Sequence, residues 1–243
     1  MPSSIASSRT LERLESIDLP IFNYLLFRLN ALGLDFDRKS FAEIRSRLEG
    51  GTAPLEPDEF AQECFYVICV AGFRQERARE MCNRVIEFIS ANGEFGEEDL
   101  LTVYGNRSKV KAIADVWHNR RDYQRKFYSL ATAEEKVEFL GTLPHIGNIT
   151  RHHLARNLGL NFVKYDIWIQ RLGTALCGRA EDMARVNNSK LAPAIKEYCD
   201  KMFSALSETT GEKVGFIDVV LWRSCQMGLI KIKDSQAFLD RTV

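Results

Sequence analysis

Two short stretches of this 243-residue chain hold the groups best suited to chemistry. In "TLPHIGNIT", residues 142–150, one helix gives way to a tight turn and a second helix, with Gly147 where the chain turns sharply. A turn that feeds a helix start exposes several N–H groups pointing the same way, a ready seat for a phosphate oxygen. Contact through amides reads no bases, so it would hold a nucleic acid in register without sequence preference. Arg151, His152 and Arg156 follow on the second helix and either add positive charge or serve as solvated surface residues. Nineteen residues after Gly147, the loop "GLNFVKY" delivers Asp166 to the N-cap of "IWIQRLGTALCG", where the helix dipole favours a negative charge. Each part also has a plain structural reading: the hairpin as a packing corner, the acid as a simple cap.

The elements that must position these groups read as helices throughout. Apolar residues recur at helical spacing from Ser8 through Leu11, Leu14 and Ile17, and again over "IFNYLLFRLNAL", closed by Gly33. Residues 40–48 make a short helix, "EGGTAPLEPDE" a loop, and "DEFAQECFYVICVAGF" a helix apolar nearly all round that runs through the core. The segments "ERAREMCNRVIEFISA", "SKVKAIADVWHNRRDYQRKFYSL", "TAEEKVEFLGTL", "ITRHHLARNLG", "DIWIQRLGTALCG", "KLAPAIKEYCDKMFSAL" and "GFIDVVLWRSCQMG" each fit a helix between stops. No sustained period-two alternation stands out, so the expected fold is all-α.

Lys+Arg and Asp+Glu balance at 33 each, so any basic face must come from a one-sided arrangement, and binding to a nucleic acid through it would weaken steeply with salt. The six cysteines form no CxxC pair and read as reduced core residues, and four histidines, two of them adjacent, make a histidine-built metal site improbable. With no long apolar run and no signal-like start, the expectation is an intracellular, cytoplasmic monomer with no membrane partner.

The "LPxIG" hairpin, the helix ending in "LARNLG" and the pattern "KxDxxxxRL" resemble the signature of the helix-hairpin-helix, Gly/Pro-Asp superfamily of DNA glycosylases, in particular the compact archaeal and bacterial 8-oxoguanine glycosylases. The stretches "ECFYVICVAGFRQERAREMC" and "GNRSKVKAIADVW" are similar to that family's early core helix and its next basic helix start, so the likeness spans roughly residues 60–175 and is strongest over 143–172. It implies a two-lobed helical enzyme with double-stranded DNA across a central cleft and a flipped nucleotide in a pocket. One lobe would comprise 8–75 with 165–243, the other 76–164, ending in the helix-hairpin-helix at about 137–158.

By the same resemblance Asp166 is the catalytic acid, and His145, Ile146, Gly147, Asn148, Thr150 and Arg151 hold the DNA backbone, with a monovalent cation possible at the hairpin and no other cofactor. Phe73, Arg74 and Gln75 are the candidate wedge, and Lys109 is a further DNA contact. Tyr66, Cys69, His153, Lys164, Tyr165 and Trp168 are candidates for the base pocket. The chain departs from the family where bifunctional members carry a lysine two residues after the hairpin glycine, for here that position is Ile149. Without an amine no Schiff base with the sugar forms, so coupled strand cleavage is not expected. His145 replaces a usual glycine, Trp168 a frequent histidine, and the four close cysteines of an iron–sulfur cluster are absent.

The activity implied is that of a monofunctional glycosylase, with the Asp166 carboxylate facing the positive charge that develops on the sugar. Two other functions fit the same residues. One is a phage-type transferase attaching an amino acid or polyamine to activated 5-hydroxymethyl-uracil in DNA, and the other a binding module that uses the hairpin only to hold phosphates.

Overall fold

The computed structural model describes residues 11–32, 40–51, 53–72, 75–93, 95–186 and 192–243. Among them the chain forms twelve α-helices and three short strands, in two compact units, Met1–Leu34 with Tyr165–Val243 and Asp35–Lys164. None of the described helices is long and apolar enough to cross a membrane.

The continuous unit is built around one helix. Following α1 (Leu19–Ala31) of the other unit and α2 (Phe41–Gly50), α3 (Pro57–Val70) is buried on nearly every face, with Phe60, Phe65, Tyr66 and Ile68 at most 1% exposed. Pro57 at its first turn and the acids Asp58 and Glu59 suit a helix start. Burying each such side chain contributes about 1.5–3 kcal/mol. Packed on α3 are α4 (Gln75–Asn92), α6 (Arg107–His118), α7 (Arg120–Ser129) and α9 (Thr150–Asn157). Two short helices, α5 (Glu97–Leu101) and α8 (Ala133–Leu140), complete the unit. The sequence-based boundary near residue 75 therefore falls at residue 34 instead, because α3 is the core of this unit and cannot be separated from its neighbours. The single long helix expected over 108–130 is interrupted at Asn119, which ends α6 and begins α7.

The discontinuous unit contains α1, α10 (Ile167–Leu176), a 3-10 turn (Ala180–Arg185), α11 (Pro193–Thr210) and α12 (Val214–Gln226). Phe216, Ile217, Val220 and Leu221 on α12 are fully buried and form its centre. α10 and α11 come close because Gly173 carries no side chain: a Cβ there would lie 2.3 Å from Cys199 Sγ.

The unit also holds an antiparallel sheet that was not expected. Its order is β1 (Leu11–Leu14), β3 (Gln236–Asp240), β2 (Ile230–Lys233), with Leu11 opposite Asp240 and Ile230 opposite Leu239. The helix expected from Ser8 is thus a strand over Leu11–Leu14, and its first residues lie outside the described ones. "IKIK-DS-QAFL" does alternate, and Asp234 and Ser235 both take positive φ, 50° and 60°, as a two-residue hairpin turn requires. Asp-Ser in place of Asn-Gly concealed that turn.

Within the sheet Asp240 accepts from Lys231 Nζ at 2.5 Å and from the amide and hydroxyl of Thr242 at 2.9 and 2.6 Å. Lys231 first, then Thr242, hold its carboxyl well below the usual range. A carboxyl so depressed adds stability above its unfolded value, about 3.9, and loses it as the pH falls towards the folded one. Asp240→Asn should therefore lower the melting temperature at pH 7, with the gap to the parent protein narrowing at pH 3.

Candidate functional site

The hairpin lies between α8 and α9 in the continuous unit. Leu143 and Ile146 are buried and anchor it, and the amide of Ile146 closes the turn on Leu143 O at 3.1 Å. His145 is the strained residue. Its φ of +63° is left-handed, a conformation that favours glycine, whereas Gly147 is not left-handed. Its ring nitrogen Nε2 lies 2.9 Å from the hydroxyl of Ser108, which in turn donates to Asn106 Oδ1. Asn106 caps α6, so the hairpin is tied to the start of that helix. Partial burial, then the Lys109 charge, pull the His145 pKa down.

Of the amides expected to face a phosphate, those of Ile146 and Gly147 are used within the turn. Gly147 N–H donates to Thr150 Oγ1 at 2.7 Å, and Gly147 O accepts from the Arg151 amide at 2.9 Å. The next three amides, of Asn148, Ile149 and Thr150, donate to no acceptor among the described residues. They are the first-turn donors of α9, and with Gly147 exposed and its Cβ position met only by Thr150 Oγ1 at 3.9 Å, backbone can approach a ligand closely here. Arg151 instead turns to Glu138, 2.9 Å away, across the hairpin. Ile149, half-buried, is the N-cap of α9 and supplies no amine.

Lys109 is buried and its amine is taken up inside the fold. It is 3% exposed, and its Nζ donates to the carbonyls of Cys69 and Ala71 at 3.0 and 2.6 Å, at the C-terminal end of α3. A cation there meets the negative end of the helix dipole and satisfies terminal carbonyls. Burial pushes its pKa down. The sequence reading of Lys109 as a DNA contact is corrected accordingly.

Three residues expected in a base pocket are core. Tyr66, Cys69 and His153 are 1%, 0% and 4% exposed, and the Tyr66 and His153 rings meet edge-on with centroids 5.8 Å apart. Cys69 and Cys82 are free thiols; a hydrogen bond from Cys82, then the Lys109 charge and the Tyr104 hydroxyl, outweigh burial and hold the Cys69 thiol below its ordinary value. A separate cavity of about 1010 Å³, walled by Phe65, Phe95, Trp117 and Arg120, contains none of the expected site residues. Lys164 is buried at the end of this unit. The wedge candidates Phe73 and Arg74 lie outside the described residues, as does the side chain of Gln75.

Asp166 belongs to the discontinuous unit. It is the N-cap of α10 in extended conformation, and its Oδ1 accepts the amides of Trp168 and Ile169 at 2.9 and 3.3 Å. It is nevertheless only 9% exposed, unlike an ordinary surface cap. α12 packs against α10, the helix this acid caps, and burial first, then the Asp166 charge, push the Cys225 thiol up. Trp168 is half-buried next to it. The Tyr165 hydroxyl is committed to Asp200, whose other oxygen accepts from Lys196 Nζ at 2.6 Å, and burial followed by Asp200 drives the phenol pKa up. Gln170 and Asp200, which brace Tyr165, and Ser108, which holds His145, were missed in the sequence. Only the contacts they make distinguish them from ordinary polar residues.

A scan against protein-family models finds no match, and no curated protein matches the sequence. Among solved structures, the chain is similar to the crystal structure of the 8-oxoguanine DNA glycosylase of Thermotoga maritima, with a TM-score of 0.55 and 18% sequence identity over 84% of this chain and 94% of that one. The likeness extends over most of both chains. The protein therefore has the fold of a helix-hairpin-helix DNA glycosylase.

Proposed function

We propose that this protein is a DNA glycosylase that hydrolyses the N-glycosidic bond of a modified base and leaves an abasic site without cutting the strand. The observation that carries the reading is Asp166, a carboxylate buried at a helix N-terminus in a glycosylase fold. A carboxylate removed from bulk water costs several kcal/mol of hydration unless its surroundings replace those bonds, and two backbone amides do part of that here. Such a group stabilises a developing positive charge strongly, since water does not screen it.

In this reading the amides of Asn148, Ile149 and Thr150 hold a phosphate, and Asp166 acts on the sugar. The C1′–N bond breaks, its electron pair leaves with the base, and the sugar becomes oxocarbenium-like. Water adds to C1′ and gives up a proton, for which Asp166 is the acceptor. Ile149 offers no amine, so no imine with the sugar forms and the phosphodiester chain stays intact.

The test uses duplexes carrying single modified bases and natural phage DNAs that differ in their modification. The expected result is release of free base, with strand breaks only after alkali. Breaks without alkali, or covalent trapping by borohydride, contradict the hydrolytic route. Mass analysis of the digested DNA decides the rest: a gain of mass means group transfer to the base, and unchanged DNA bound tightly means a binding module.

A further inference from the structure

An N-cap acid can be held by its own helix alone, as Asp18 is at α1, where the residue four positions on, Phe22, is apolar. The same offset carries Ile44 after Ser40 and Val110 after Asn106, as expected where that side chain packs back over the entering chain. After Asp166 it carries Gln170, an amide 1% exposed. Gln170 Nε2 reaches back past the first turn and donates to the carbonyl of Tyr165 at 2.8 Å. That carbonyl belongs to the peptide plane leading into Asp166, so the bond fixes the plane from which the acid's backbone and side-chain torsions start. The Tyr165 hydroxyl is held at the same time by Asp200 on α11.

The other half of the amide, Oε1, is buried and has no hydrogen-bond partner among the described residues. A buried acceptor left so destabilises the fold, a penalty that an apolar residue of the same length would avoid. An amide kept despite that penalty points to a task for its donor half. We propose, building on the glycosylase reading, that Gln170 is a positioning residue that holds Asp166 in its reactive orientation through the Tyr165 carbonyl.

The test measures single-turnover base release, DNA affinity and melting temperature for Gln170→Met, which keeps the length and loses the donor, in the parent and in an Asp166→Asn background. The expected result in the parent background is a rate lower by about tenfold or more, since a small misplacement of a reacting group costs that much, with affinity within about twofold. In the Asp166→Asn background the same change should alter the residual rate by less than about twofold, because the group being positioned has already lost its function. Gln170→Leu, which likewise has no donor, carries the same expectations should the methionine variant fail to fold. An unchanged rate, an equal loss in both backgrounds or a parallel loss of DNA affinity overturns the proposal. If the unsubstituted protein releases no base from any substrate, the glycosylase reading falls, and this inference with it.

Discussion

Under the proposed function, Asp166→Asn is expected to leave a protein that folds and grips DNA but releases base on the order of 10²–10³ more slowly, the loss seen when a group that stabilises charge in the transition state is removed. The substitution is informative because asparagine is as good an N-cap as aspartate, so the amides of Trp168 and Ile169 keep an acceptor. Melting temperature and far-UV circular dichroism should stay close to those of the parent, and affinity measured by anisotropy should hold. Only the negative charge is gone. A variant that kept its full rate would show the carboxylate to be a cap and nothing more, and one that lost DNA binding in step with rate would point to a role in grip.

The largest effect on stability is expected at Gly159, which takes no part in the proposed chemistry. Gly159 follows α9 with φ +91°, and its amide and that of Leu160 return to Arg156 O and Ala155 O at 3.0 and 2.9 Å, ending the helix in a left-handed turn. A Cβ here would lie 2.3 Å from the carbonyl oxygen of Gly51 and 2.8 Å from its carbon, at the end of α2. Both obstacles are backbone and cannot swing aside. Gly159→Ala combines a left-handed alanine with overpacking, about 2–4 kcal/mol together. For a chain of this size that lowers the melting temperature by roughly 5–15 °C. Because α9 carries the hairpin amides, DNA affinity should fall as well. Differential scanning calorimetry with a salt-dependent binding assay checks both, and an alanine variant melting within about a degree of the parent would contradict the close approach.

What is periodic or carried by a motif was legible in the chain alone. Helical spacing placed α3, α4 and α8 to α12, and the succession of hairpin, "LARNLG" and "KxDxxxxRL" pointed to the glycosylase fold and to Asp166 as the cap of α10. These are local properties, set by neighbours within a few residues. Short strands were not legible in the same way. Four residues such as "LERL" satisfy either period, and β1 exists only because it pairs with β3, more than 200 residues later.

Tertiary contacts likewise decided which polar side chains serve a site. Lys109 and Arg151 are basic residues in the right places, yet one caps the end of α3 and the other pairs with Glu138. Tyr66 and His153 pack against each other in the core, where a base-pocket role had been expected. Gln170 looks unremarkable in the chain and is singled out only by its burial and by the carbonyl it reaches. Residue type states which bonds a side chain is able to make, and the packing of distant elements selects the partner it finds.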